Sequence, residues 1–197
     1  MPTTTLTAQA LLRQVGLLAD GPVRWEQPAL GRGPGVFVVE TPDPSATAPI
    51  DIVAVRAWLE RVPSLRLDGA RPDAGALADR LRSYWLPGQP VLYVGRTSKS
   101  LGGRILALHR TPLGDRQPHS GGHWLRTLTG LAGFRIWWAE TDAPEEAEDA
   151  LIGAIAATVT DAERAALPAG IVLPWANLEA PGGDKRAHGI KIGRAHV

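Results

Sequence analysis

The chain has 197 residues with 21 Lys and Arg against 20 Asp and Glu, a net charge of +1, so its overall charge marks out no particular partner. It has no cysteine, which excludes a disulfide framework and a thiolate zinc site, and no apolar run reaches the length of a membrane span. One domain with a real hydrophobic core is expected from this length, and the N-terminus lacks the basic start and apolar stretch of a secretory signal; a soluble cytoplasmic protein with no membrane partner is the plain expectation.

Near the N-terminus, Leu11, Leu12, Val15 and Leu18 recur at helical spacing and predict an amphipathic helix packed on the domain. Residues 21–34 carry the turn signals GPVRW and GRGPG, within which Trp25 is expected to pack. Gly35–Glu40, GVFVVE, is a β-prone run, broken by proline and small residues from Thr41 to Pro49. Two helices follow: Asp51 caps a helix with Ile52, Val55 and Leu59 on one side, and Asp73 caps a second with Leu77 and Leu81 on its core face. Leu65–Asp68 lies between them as a short strand or extended connection.

The most informative stretch is Val91–His109, VLYVGRTSKSLGGRILALH. A β run containing Tyr93 ends at Gly95, and Arg96–Gly103 reads as a polar turn. Leu101, Ile105 and Leu108 then recur at helical spacing with Arg104 on the same face. A phenol and a guanidinium brought together this way suit a phosphate diester. Each also has an ordinary explanation, since aromatic residues are common in half-buried strands and an arginine stem can pack with its head in water.

Beyond it, the HSGGH loop frames His119 and His123, and its glycines argue against a helix there. A helix is expected from His123 to Leu131, then a third β run at Phe134–Ala139. Asp142 and Glu145 form a capping-box pattern, with Pro144 in the first turn, for a helix running to about Thr158. On that helix Glu148 shares a stripe with Leu151, Ile152 and Ile155. A carboxylate on a core-facing stripe needs a partner: an arginine such as Arg104, or a metal ion. A further short helix fits Asp161–Leu167, and Asn177 follows in LPWAN, where a turn asparagine capping its own backbone is the plain alternative.

Seven Lys or Arg (Arg96, Lys99, Arg104, Arg110, Arg116, Arg126, Arg135) face one acid, Asp115, between Val91 and Arg135, whereas acids collect from Glu140 to Asp149. This distribution allows a basic nucleic-acid-binding surface, with Arg96, Lys99, Arg110 and Arg126 as its candidates, as well as ordinary surface patchiness. Residues 181–197 read as a basic, unstructured tail, and the closing KIGRAHV resembles the translation of a sequencing adapter.

Taken together, these motifs resemble the GIY-YIG nuclease family over roughly residues 33–177. GVF at Gly35–Phe37 and YVG at Tyr93–Gly95 are similar to the two halves of its signature, Arg104 to the arginine of the following helix, Glu148 to the metal-binding glutamate and Asn177 to an asparagine near the end. The resemblance implies an α/β (α+β) domain with a small three-stranded antiparallel sheet flanked by helices, here divided into an N-terminal helix and connection (1–30), the domain itself (31–180) with a helical insertion at 50–88, and the tail. It further implies a Mg²⁺- or Mn²⁺-dependent endonuclease acting on DNA, with Tyr93, Arg104, Glu148 and Asn177 in its site, Glu148 on the metal, and His109 or His119 as helper. Two departures stand out: the insertion separates the signature halves, and Phe37 replaces the tyrosine that the family uses as a general base. A catalytically weakened nucleic-acid-binding module of the same fold is therefore the alternative, and chance similarity in an unrelated α/β protein is a third reading.

Overall fold

The computed structural model describes residues 6–115 and 120–193. Its elements, in chain order, are α1 (Ala8–Gln14), β1 (Asp20–Arg24), β2 (Gly35–Glu40), α2 (Ile52–Arg61), β3 (Leu65–Leu67), α3 (Ala74–Arg82), β4 (Val91–Thr97), α4 (Leu101–Arg110), α5 (Ser120–Leu125), β5 (Arg135–Glu140), α6 (Pro144–Ala156), α7 (Asp161–Ala166) and β6 (Ile190–Ile192). The principal sheet is antiparallel in the order β1-β5-β2-β4, and β3 pairs with β6 in a separate two-stranded sheet. The expected three strands are present as β2, β4 and β5; the sheet has a fourth, because the turn-rich segment after α1 pairs with β5 through Val23 and Ile136.

β2 is central and buried along its whole length. Successive side chains in a strand point to opposite faces, so Phe37 and Val39 enter one core with Leu101, Ile105 and Leu108 of α4, while Val36 and Val38 enter another with Leu151, Ile152 and Ile155 of α6. Thus α4 and α6 cover opposite faces. α1 joins α6, its N-terminus held by Glu40, whose carboxylate accepts from the Ala8 N–H at 2.5 Å.

Capping explains several helix starts. Asp51 accepts from the N–H groups of Val53 and Ala54, and Asp73 from that of Ala76. Two local expectations are corrected. Asp142 does not cap α6: the helix begins at Pro144 after Ala143, whose N–H is taken by the Thr141 hydroxyl, while the reciprocal capping box is found at Thr160 and Glu163 of α7. The glycines of HSGGH do not prevent a helix either, since α5 runs through them, with Trp124 and Leu125 buried in the larger core. Tertiary burial outweighs their poor helix propensity.

The expected unstructured tail is corrected as far as residue 193, and 194–197 lie outside the described residues. Arg186 is buried, donating to the Trp175 carbonyl at 2.6 Å and the Leu173 carbonyl at 3.2 Å, with its guanidinium over Tyr84 and Trp124. Residues 190–192 then pair with β3, so Lys191 and Ile192 of KIGRAHV form part of a sheet. This segment closes over a tryptophan cluster in which Trp124 and Trp85 each stack edge-on against Trp175.

Candidate active site

β4 is an edge strand, and the segment around Trp175 covers its outer side. Ala176 N–H donates to the Leu92 carbonyl at 2.8 Å. Asn177 completes the pairing with its side chain: Oδ1 accepts from the Val94 N–H at 2.9 Å and Nδ2 donates to the Val94 carbonyl at 2.8 Å. The amide stands in for one residue of a neighbouring strand. Asn177 therefore serves by holding this loop against β4.

Around that edge opens a cleft of about 940 Å³. Tyr93 from β4, Arg104 from α4, Glu148 from α6 and Asn177 from the covering loop all line it, as do Arg96 and Lys99. Four sequence candidates from separate segments thus meet, although α4 and α6 lie on opposite faces. They meet because the cleft wraps around the outer edge of β4.

The arginine seen on Glu148 is on β4 and not the one the sequence suggested. It is Arg96, donating from Nε to Oε2 at 2.6 Å and reaching Glu145 at 3.3 Å. Burial lifts the Glu148 carboxyl above its usual range even though Arg96 pulls it down. Burial is the largest influence on the Arg96 cation and disfavours it, but the bond to Glu148 and the negative charges of Glu148, Glu145 and Asp149 together outweigh this, and its guanidinium sits above its usual value. The Tyr93 phenol is pushed up to about 12, chiefly by burial and further by Glu148, with Arg104 opposing.

The YVG glycine has a steric explanation. A β-carbon at Gly95 would lie 2.5 Å from Cζ of Phe37 and 2.9 Å from Cε1 of Tyr93. The two rings, with centroids 5.8 Å apart, lie over a bare α-carbon. Phe37 is fully buried on the Tyr93 side of the sheet.

Three of the remaining candidates, His109, Arg110 and Arg126, do not line the cleft. His109 is buried against Trp25, ring centroids 4.8 Å apart, and neither ring nitrogen has a hydrogen-bond partner among the described residues. Burial holds its pKa below the usual value. Arg126 extends over the same Trp25 and donates to the His109 carbonyl. Arg110 is exposed at the last residue of α4, outside the cleft lining. His119 lies outside the described residues, as does Arg116.

The cleft is not a basic groove. Its lining carries Arg96, Lys99 and Arg104 together with Glu145, Glu148, Asp149 and Glu179. Among the described residues no group of three or more His, Cys, Asp or Glu side chains gathers to cage a metal ion. The donor set suits a hard cation held differently: a half-buried carboxylate, Glu148, at the wall of an open cleft leaves the other positions to water and phosphate oxygens, a common arrangement for Mg²⁺. Sequence reasoning missed the Arg96–Glu148 pair and the excess of acids here, because both depend on which face of the sheet α6 covers.

Compared with protein-family models, curated proteins and solved structures, the chain matches none. No helix among the described residues is long and apolar enough to cross a membrane.

Proposed function

We propose that the cleft is a phosphodiester site and that the protein is a divalent-metal-dependent endonuclease acting on DNA, in keeping with its resemblance to the GIY-YIG nucleases. The observation that carries this reading is the meeting of Tyr93, Arg104 and Glu148, from β4, α4 and α6, in one open cleft. Glu148 would hold Mg²⁺ or Mn²⁺, which when bound would supply positive charge to the scissile phosphate and the departing oxygen. Arg104 offsets charge on the non-bridging oxygens of the phosphate. Tyr93 is protonated at neutral pH, so its hydroxyl orients the attacking water as a hydrogen-bonding group. Asn177 fixes the loop that forms one wall.

The test is cleavage of supercoiled plasmid in Mg²⁺ or Mn²⁺. Arg104→Ala is expected to lower the rate by about 10²–10³, the typical cost of losing one charge-stabilising donor. Glu148→Gln should fall at least as far, and undiminished cutting by Glu148→Gln would remove the proposal.

A second reading is favoured by a specific observation: with Glu148 assigned to the metal, none of the described side chains expected as general base is ready to take a proton beside Tyr93. Phe37 has none, His109 is elsewhere, and Tyr93 itself ionises only near 12. On this reading the protein holds nucleic acid in the same cleft and cuts weakly or not at all. Phosphate contacts then predict binding that falls steeply with salt. Phe37→Tyr separates the two: cutting gained only in the variant favours the binding module, whereas cutting already present in the wild type favours the nuclease.

A further inference from the structure

Resting on the proposed phosphodiester site, one feature of the cleft points to how it would be loaded. A polyanion approaching it meets four carboxylates (Glu145, Glu148, Asp149 and Glu179) beside three cations. One of those cations, Arg96, is already engaged by two of the acids, at 2.6 Å and 3.3 Å. The two partners differ in freedom. The Arg96 side chain is 42% exposed and lies at the edge of the sheet, so its guanidinium can turn without leaving a core. The Glu148 side chain is only 20% exposed and is carried on a helix whose next turns are packed against β2 and β4.

We infer that Arg96 is an exchangeable counter-ion: it holds Glu148 in the empty cleft, and on loading it yields that carboxylate to a divalent cation and turns its own charge to a substrate phosphate. Each half of the exchange is unfavourable alone. Drawing Arg96 away strands a half-buried carboxylate between Glu145 and Asp149. Bringing in a divalent cation while Arg96 stays sets two positive groups on one carboxylate. Arriving together, the cation satisfies Glu148 and the phosphate satisfies Arg96. Binding of metal and of nucleic acid is then cooperative, and by linkage each strengthens the other by the same factor. Arg96 acts here through Glu148 and the phosphate as a positioning residue. A fixed ion pair that merely fastens α6 to β4 would show no such coupling.

The experiment measures Mn²⁺ binding to the full chain by electron paramagnetic resonance, with and without a phosphorothioate DNA duplex, after subtracting Mn²⁺ bound by the duplex alone. Wild type, Arg96→Gln, Arg96→Met and Glu148→Gln are compared, each shown to be folded by its thermal melt. Without DNA, both Arg96 variants are expected to bind Mn²⁺ about tenfold more tightly than wild type, within the usual range of coupling between sites. The duplex should tighten Mn²⁺ binding to wild type by a similar factor and leave the Arg96 variants nearly unchanged. Unaltered or weaker Mn²⁺ binding in both Arg96 variants, or equal tightening by DNA in wild type and variants, overturns the exchange. If that happens while Glu148→Gln still abolishes Mn²⁺ binding to DNA-loaded protein, the exchange alone fails and the nuclease reading survives. If no Mn²⁺ binds even to DNA-loaded wild type, both fall.

Discussion

His109 illustrates how a single residue can be misread from its chemistry. An imidazole one position beyond the helical stripe of Arg104 is a natural candidate for proton transfer, yet it is buried against Trp25 with both ring nitrogens unpartnered among the described residues. An unsatisfied buried polar group costs roughly 1–3 kcal/mol. A phenyl ring of similar shape removes that cost, so His109→Phe is expected to raise the unfolding free energy by about 1 kcal/mol, read by urea denaturation. It should leave plasmid cleavage and DNA binding unchanged. A loss of cleavage in a variant that is folded and no less stable would return His109 to the site. Gly95 makes the opposite point, since a position without a side chain is fixed by two rings: a β-carbon there would strike Phe37 at 2.5 Å, so the glycine reflects packing between Phe37 and Tyr93.

Among elements, β4 matters most, because it carries Tyr93 and Arg96 and because its outer edge is where the cleft forms. A free edge invites pairing with another chain. Here Ala176 and the Asn177 side chain occupy it, through one backbone bond to Leu92 and two side-chain bonds to Val94. Asn177→Ala leaves the Val94 N–H and carbonyl without these partners and is expected to cost about 2 kcal/mol. Hydrogen exchange should quicken at the Val94 amide. Cleavage, if the cleft is a nuclease site, should fall less than in Arg104→Ala, since Asn177 acts on the wall and not on the phosphate. Asn177→Asp should not rescue, because a carboxylate cannot donate to the Val94 carbonyl.

At the scale of the whole molecule, the segment leading to β6 is a clasp. Arg186 holds it by its bonds to Trp175 and Leu173 and by lying over Tyr84 and Trp124; burial brings its pKa down to about 10. Stability should also depend on pH. His109, His123 and His188 all have pKa values lowered from 6.5 by burial, so at these three sites the folded state binds fewer protons than the unfolded chain, which opposes and outnumbers the single raised carboxyl of Glu148. The histidines' contribution is present above 6.5 and is lost as the pH falls through their lowered values. Tyr93 acts at the other end: raised from 10.0 to about 12, it contributes stability below 10 that is lost as the pH rises towards 12. The melting temperature should therefore decline from pH 7 to pH 5, and a melting temperature independent of pH over that range would contradict the burial of these rings.

The sequence alone determined what depends on neighbours a few residues apart. Asp51 and Asp73 capped their helices, Leu77 and Leu81 faced the core, and the β-prone runs GVFVVE and VLYVG became strands, because periodicity and capping act within a turn of helix or along one strand. The same local pattern put Glu148 on a packed stripe, and so marked it as a carboxylate in need of a partner. Only the tertiary structure decided which partner it took. Arg96 and Arg104 are eight residues apart, but Arg96 stands opposite Val36 on the face that α6 covers, whereas Arg104 is carried by the helix on the other face, so the Glu148 carboxylate meets Arg96. The fourth strand, the pairing of β6 with β3, the asparagine that seals the edge and the burial of His109 arose in the same way. Each joins segments distant in the chain, and such contacts depend on register and on which face each element covers, neither of which is written in local spacing.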